Sequence, residues 1–220
     1  MNKILLLTAV TFLLYIYSCK SNQKKNAATN YNVTDTVTKD IPKRSDGTPF
    51  IVYVKLKELE KIGDFPSLEF GFDSLQIRIW YGASFSDSFQ LITLKKMSVD
   101  WKAELYFLKY NYDEKRDKLI SLNKRIEAKL PKSGWGNFIK KIYDLKILTL
   151  PNAESLPGFA ECFDGAGITI EVATIKEYRI YNYPCLGSFL KIWQCRNALE
   201  ILELLENEFE FTRVGELYNQ

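Results

Sequence analysis

An alternation of apolar and polar residues with a period of two predicts β-strands through the first half of the chain. The clearest segment is SLQIRIWYG, in which every second residue is apolar: Leu75, Ile77, Ile79 and Tyr81. A second segment starts at Trp101 and keeps the same period to Phe107. The β-branched run FIVYVKL at 50–56 predicts a further strand. Short polar connections, including the charged hairpin tip at 111–118, separate the runs, so the pattern predicts an antiparallel sheet.

The second half of the chain mixes helical and strand periods. Four apolar residues recur at helical spacing after Pro131: Trp135, Phe138, Ile139 and Ile142. A β-hairpin is predicted over 168–183, and a terminal helix from Ser188, a candidate N-cap, to about Glu208. The apolar stripe of that helix comprises Ala198, Ile201, Leu202, Leu205 and Phe209, and its polar side Arg196, Glu200, Glu203 and Asn207. The predicted fold class is α+β, a mainly antiparallel sheet with two helices packed on one face, in the order strands, helix, hairpin, helix.

The N-terminus has the pattern of a targeting segment. The apolar run from Ile4 to Ile16 fits a signal core and is shorter than the ~20 residues that span a bilayer. It ends in Ile-Tyr-Ser-Cys, which resembles the lipobox of bacterial lipoproteins. The resemblance implies that residues 1–18 are a cleaved signal peptide and that Cys19 carries acyl chains such as palmitate. An ordinary cleaved signal and a retained anchor helix are the alternatives.

Residues 19–49 are predicted to form a lipidated, flexible tether. They are rich in Asn, Thr, Lys and Ser, so the segment cannot offset its ordering entropy by burying apolar surface. The net charge of +3 belongs to this tether, because the single domain predicted at 50–220 is close to neutral. The charge therefore gives no reason to expect a nucleic-acid partner.

The chain contains no histidine. That absence excludes His-based nucleophile triads, His general bases and His-containing metal sites. Paired-carboxylate chemistry is not excluded, but no acidic pair stands out. Glu161 and Asp164 lie around an Asp-Gly pair that is typical of a turn. We therefore predict no catalytic residue, no metal site and no cofactor.

Three cysteines fall in the predicted domain: Cys162, Cys185 and Cys195. An exported protein enters an oxidising compartment, where a pair can form a disulfide. Cys185 and Cys195 bracket the entry to the terminal helix and form the predicted disulfide. Pairing of Cys162 with Cys185 and three free thiols are the alternatives. A soft-metal site is disfavoured because the spacing is irregular and no fourth ligand exists.

Aromatic and arginine side chains on strand positions suggest a contact surface, because Tyr, Trp and Arg dominate binding hot spots. The predicted binding face consists of Arg78, Trp80, Arg179, Tyr181 and Tyr183. The alternative is an ordinary solvated sheet face that carries Tyr and Arg.

The hairpin segment ITIEV…YRIYNYP and the helix after it resemble uncharacterised domains of Bacteroidota-type lipoproteins. The resemblance implies no particular activity. We therefore expect a non-enzymatic, membrane-anchored domain that binds a partner or supports envelope structure. The alternatives are an inhibitor or immunity-type lipoprotein that blocks an envelope enzyme or toxin, and a His-free glycan hydrolase. The expected partners are the lipid bilayer, through N-terminal acyl chains, and an envelope protein. The expected location is the outer membrane, facing the periplasm.

Overall fold

A computed structural model describes residues 37–83, 88–112, 119–160, 162 and 165–211, which contain seven strands and three α-helices. In chain order they are β1 (Thr38–Asp40), α1 (Ile51–Ile62), β2 (Leu75–Ala83), β3 (Ser88–Met97), β4 (Asp100–Tyr112), β5 (Leu119–Lys129), α2 (Trp135–Asp144), a short 3₁₀ helix (Ala153–Ser155), β6 (Ala166–Thr174), β7 (Glu177–Tyr183) and α3 (Trp193–Phe209).

The strands form one sheet in the order β1-β7-β6-β2-β3-β4-β5. All neighbours pair antiparallel except β1, which runs parallel to β7. The α+β class and the mainly antiparallel sheet are therefore confirmed, as is the β6–β7 hairpin. Most of the tip predicted at 111–118 lies outside the described residues.

One side of the sheet, face A, carries Ile77, Ile79 and Ile170 and packs against α2 and α3. Helical spacing predicted this packing correctly. Phe138 and Ile142 of α2 are fully buried, and so is the whole predicted stripe of α3. The four residues predicted for the polar side of α3 are exposed. Face A is thus an apolar core between a sheet and two helices.

The start of α3 differs from the prediction. The helix begins at Trp193, later than the expected N-cap at Ser188. The residues after Ser188 form turns instead of a helix, and the Ile192 N–H donates to the carbonyl of Phe189 at 2.9 Å. Within the described part of the chain, no helix is long and apolar enough to cross a membrane.

The opposite side, face B, carries Trp80, Leu91 and Tyr178 and is covered by α1. Segment 50–56 was predicted to be a strand, and this prediction is wrong, because the segment forms the first half of α1. Burial in α1 recurs at helical spacing, at Leu56, Leu59 and Glu60. The prediction of two helices on one face is therefore corrected to three helices that cover both faces.

The ordered domain also begins earlier than predicted. The tether was expected to extend to residue 49, but Thr38 to Asp40 pair with β7 as strand β1. The Thr38 N–H donates to the carbonyl of Lys176 at 2.8 Å. Because these main-chain groups are paired in a sheet, residues 38–49 belong to the domain rather than to the tether.

Candidate functional site

The five residues of the predicted binding face do not form one surface. Ile170 of β6 pairs with Ile79 on one side and with Tyr181 on the other. Tyr181 therefore shares face A with Ile79, whereas Trp80 lies on face B. Four of the five side chains are buried: Arg78, Trp80, Tyr181 and Tyr183. The prediction of a single exposed face is thus corrected to two internal sets, one on each side of the sheet.

The face A set binds the loop that follows α2. Its side chains donate hydrogen bonds to main-chain carbonyls of residues 147–151: Arg179 to Leu148 and Leu150, Tyr181 to Ile147, and Tyr183 to Pro151. Burial raises the pKa of the Tyr181 hydroxyl well above its ordinary value, so this group stays protonated and donates. Residue types that are common at interfaces here hold a segment of their own chain.

The face B set joins a buried ion cluster, which we define as Lys57, Glu60, Arg78 and Glu171. The Arg78 Nη1 atom lies 2.7 Å from Glu60 Oε1, and the Lys57 Nζ atom lies 2.7 Å from Glu60 Oε2. Lys57 Nζ also lies 3.2 Å from Glu171 Oε1. Lys57 and Glu60 come from α1, whereas Arg78 and Glu171 are directly opposite each other on β2 and β6. The cluster therefore attaches α1 to the sheet.

Neutral donors complete the environment of Glu171, which is fully buried. Its carboxylate accepts hydrogen bonds from Trp80 Nε1 at 2.9 Å and from the Tyr178 hydroxyl at 2.8 Å. Arg78 Nη1 lies 3.9 Å away. A buried carboxylate needs such donors, because desolvation without them is unfavourable. The predicted binding residue Trp80 thus serves an internal carboxylate.

The ionisable groups in and beside the cluster have pKa values that are shifted by different causes. Burial and the neighbouring Glu171 carboxylate raise the pKa of Glu60 to about 7, although Lys57 and Arg78 act in the opposite direction. Burial acts to lower the pKa of Lys57, but the carboxylates of Glu171 and Glu60 outweigh it and raise the value. Burial and Glu171 also raise the pKa of Tyr178 well above its ordinary range. The charge of Glu60 therefore changes near neutral pH.

The cluster reaches the surface at Lys57, whose side chain is partly exposed. Lys57 Nζ lies 3.4 Å from Glu69 Oε1, and the Tyr53 hydroxyl donates to the same oxygen at 2.8 Å. Glu60 and Glu171 lie behind this rim and have almost no contact with solvent. Both carboxylates are engaged by charged donors of the protein, so the arrangement holds α1 in place rather than presenting an acid and a base to a substrate.

Sequence reasoning missed the cluster although two signals were present. Arg78 and Glu171 are charged residues embedded in apolar runs of two strands, and Lys57 and Glu60 have the i, i+3 spacing of one helix turn. Within the described ranges, no three acidic or cysteine side chains converge to hold a metal ion. The cationic groups of Lys57 and Arg78 occupy the positions between the carboxylates.

The disulfide also differs from the prediction. Cys185 is bonded to Cys162, with Cα atoms 6.2 Å apart, and Cys195 is a buried free thiol. The predicted pairing of Cys185 with Cys195 is therefore corrected to the alternative. Cys195 lies on the side of α3 that faces the core, and burial raises the pKa of its thiol. Its position is that of a small apolar residue.

An exposed apolar row lies at the end of the edge strand β5, Leu119–Lys129, and on the residue that follows it, and this row forms the candidate interface. The row, which we call the β5 row, consists of Ile126, Ala128 and Leu130, and Ile126 and Leu130 are 53% and 76% exposed. β4 covers one side of β5, so among the described residues no strand pairs with its outer edge. Val99, in the turn at the same end of the sheet, is also exposed. An open strand edge beside exposed apolar side chains is a pairing surface.

Cys19, Glu161 and Asp164 fall outside the described part of the chain. The lipid-attachment prediction therefore stays a prediction. No protein-family model matches the chain, and a search of curated proteins finds no match. The candidate interface thus depends on the geometry of β5 itself.

Proposed function

We propose that the chain is a lipoprotein of the bacterial cell envelope, held by acyl chains on Cys19, whose domain binds a protein partner and is not an enzyme. The observation that supports partner binding is the β5 row on an open sheet edge. Main-chain groups along β5 offer hydrogen bonds, and its apolar side chains offer surface to bury. This combination is the basis of β-strand addition in protein recognition.

The anchor supports this function in two ways. More than one acyl chain makes membrane attachment stable, and attachment raises the local concentration of the domain near envelope partners. The basic residues that follow Cys19 add an attraction to anionic headgroups, worth about 1 kcal/mol for each lysine close to the surface. We propose the periplasmic side of the outer membrane as the location.

The anchor is tested by metabolic labelling with a palmitate analogue. The native chain should incorporate label and should remain with the outer membrane during fractionation. Cys19→Ala should incorporate none and should keep its N-terminal methionine. A Cys19→Ala protein that incorporates label, or that is still cleaved before residue 19, would contradict the proposal.

Partner binding is tested by photocrosslinking in intact cells, with the full chain and a photoreactive residue in place of Ile126. We expect a discrete adduct with a protein. The matched control carries the same residue in place of Glu200, which is exposed on the polar side of α3. Absence of an adduct at position 126, or an identical set of adducts at both positions, would remove β5 as the binding surface.

A further inference from the structure

We infer that the partner of β5 is a second copy of this chain, paired antiparallel through β5 about a two-fold axis at Ile126. The inference rests on the proposed function, because it names the occupant of the same interface. Ile126 is more than half exposed and lies in the second half of β5. The two seven-stranded sheets would then form one continuous sheet.

The two edges of the sheet differ in how they are protected. β1 contributes only three residues, and very short edge strands discourage edge pairing. β5 contributes eleven residues, ends with the β5 row, and leaves its outer side open among the described residues. Sheet extension is therefore expected at β5 and not at β1.

The symmetry of such a dimer determines its register. Two antiparallel edge strands are related by a two-fold axis perpendicular to the sheet, which pairs residues equally far before and after one central residue. With Ile126 at the centre, Arg125 of one copy faces Glu127 of the other, and this contact occurs twice. Both residues are already on face A, beside Phe107 and Leu105 of β4. Opposite charges directly across a strand pair are stabilising.

The same register also suits face B. Ile126 faces its own copy, and Leu122 faces Leu130 on both sides of the axis. Lys124 faces Ala128, and the Lys124 amine already donates to the carbonyl of Gly63 in its own chain. The second lysine of β5, Lys129, faces Asn123, so neither lysine of this edge meets a like charge across the axis.

Neighbouring registers lack this complementarity. An axis at Lys124, Arg125 or Glu127 would place that charged residue opposite itself, and like charges directly opposite each other are destabilising. An axis at Ala128 would oppose Lys124 to Lys132, which are like charges. Among these axes, the one at Ile126 opposes no like charges. Its contacts between Arg125 and Glu127 would add to the ion pairs that Glu127 forms with Arg125 and Lys129 inside one chain.

Cysteine crosslinking tests the axis. A residue on the axis meets its own copy, and paired antiparallel strands bring their Cα atoms to about 4.5–5.5 Å, within disulfide range. The full-length chain with Ile126→Cys should form a reducible species of twice the chain mass in membranes. Ile120→Cys is the matched control, because Ile120 is on the same strand and is 61% exposed but lies away from the axis. Absence of the dimer with Ile126→Cys, or equal yields from both variants, would overturn the inference.

Charge exchange tests the register independently. Arg125→Glu should weaken dimerisation of the full chain in detergent by about tenfold or more, because it places like charges opposite each other twice. Arg125→Glu combined with Glu127→Arg should restore it, as measured by sedimentation velocity. A single variant that remains as dimeric as the native chain would overturn the register.

The photocrosslinking experiment separates the two proposals. An adduct at position 126 with twice the chain mass supports both. An adduct of another mass leaves the proposed binding function standing and overturns the dimer. Absence of any adduct contradicts both.

Discussion

Faces A and B of the same sheet are covered by helices that are attached in different ways. On face A, α2 and α3 bury an apolar stripe that includes Phe138, Ile142 and Phe209. On face B, α1 buries Leu56 and Leu59 but also places the charged cluster against the sheet. Apolar contacts place little constraint on the relative orientation of the packed elements, whereas charge-assisted hydrogen bonds require a specific geometry. The comparison indicates that face A supplies stability and face B specifies where α1 docks.

The contrast has a known energetic basis. Replacing a whole buried ion pair by apolar residues is often neutral or stabilising, whereas removing one partner is strongly destabilising. Large-to-small changes in an apolar core leave cavities that no second deletion repairs. The two faces should therefore respond in opposite ways to paired substitutions.

The largest expected effect is on face A. Phe138 is fully buried, and its ring centroid lies 4.9 Å from that of Phe209. Phe138→Ala should lower the free energy of unfolding by about 3–5 kcal/mol through lost burial and a residual cavity. Urea denaturation measures the change. Lys140→Ala on the exposed side of α2 is the control and should change stability by less than about 0.5 kcal/mol. A loss of less than about 1 kcal/mol for Phe138→Ala would show that face A does not carry the core.

On face B we expect an equal or smaller loss of unfolding free energy. Unlike the loss on face A, it should be recovered by a second substitution. Arg78→Met leaves the Glu60 carboxylate buried without its guanidinium and should cost about 3–4 kcal/mol. Adding Glu60→Leu should recover most of that loss, because no uncompensated charge remains. A double-mutant cycle in urea measures the coupling. Additive losses would show that the pair is not coupled.

The third effect is a dependence of stability on pH. The pKa of Glu60 is about 7 in the folded chain, against an ordinary value of 4.5. The folded state therefore binds this proton more tightly than the unfolded state does. The resulting stability is complete below pH 4.5 and is lost as the pH rises to 7, by about 2–3 kcal/mol at about 1.4 kcal/mol per pKa unit.

Denaturation of the native chain and of Glu60→Gln between pH 4.5 and 8 measures this dependence. The stability of the native chain relative to the variant should fall across that range. Glu203→Gln, an exposed change on α3, should leave the profile parallel to the native one. A relative stability that rises with pH would mean that Lys57 and Arg78 lower the pKa of Glu60 instead.

The smallest expected effect is a gain on face A. Gln90 is fully buried, and neither polar atom of its side chain has a hydrogen-bond partner among the described residues. Gln90→Met keeps the shape and removes the unsatisfied amide, so it should raise the free energy of unfolding by about 1 kcal/mol. Thermal denaturation measures the shift. Gln90→Glu should lower the melting temperature, and a destabilising Gln90→Met would show that the amide is satisfied in solution.

Much of the fold could be predicted because each periodic segment buries the residues that its period selects. The alternation in β2 and β4 and the helical spacing in α2 and α3 describe face A correctly. The failure at α1 has a clear cause. Ile51, Val52 and Val54 favour strands, and one of the three buried positions of the helix is a glutamate, which hides its apolar periodicity. Tertiary packing overrode local preference there.

That one error accounts for the wrong binding face on β2. Without a helix on face B, Arg78 and Trp80 would have been exposed to solvent. With α1 in place, both are buried: Arg78 pairs with Glu60 of α1, and Trp80 donates to Glu171 of β6. The interface on β5 could not be predicted for another reason. The alternation at Ile126 and Ala128 is visible in the sequence, but only the order of strands places β5 at an edge.

The position of β1 also has a mechanical consequence. If the chain is held at its N-terminal end, any pull on the domain passes first through β1. This strand is attached by three residue pairs with β7 and by two ion pairs, Asp40 with Arg179 and Lys39 with Glu69. α1 comes next along the chain, and the hairpins of the sheet come later. A pulling force would therefore detach β1 first and α1 second. The part of the sheet that packs against α2 and α3 would unfold last.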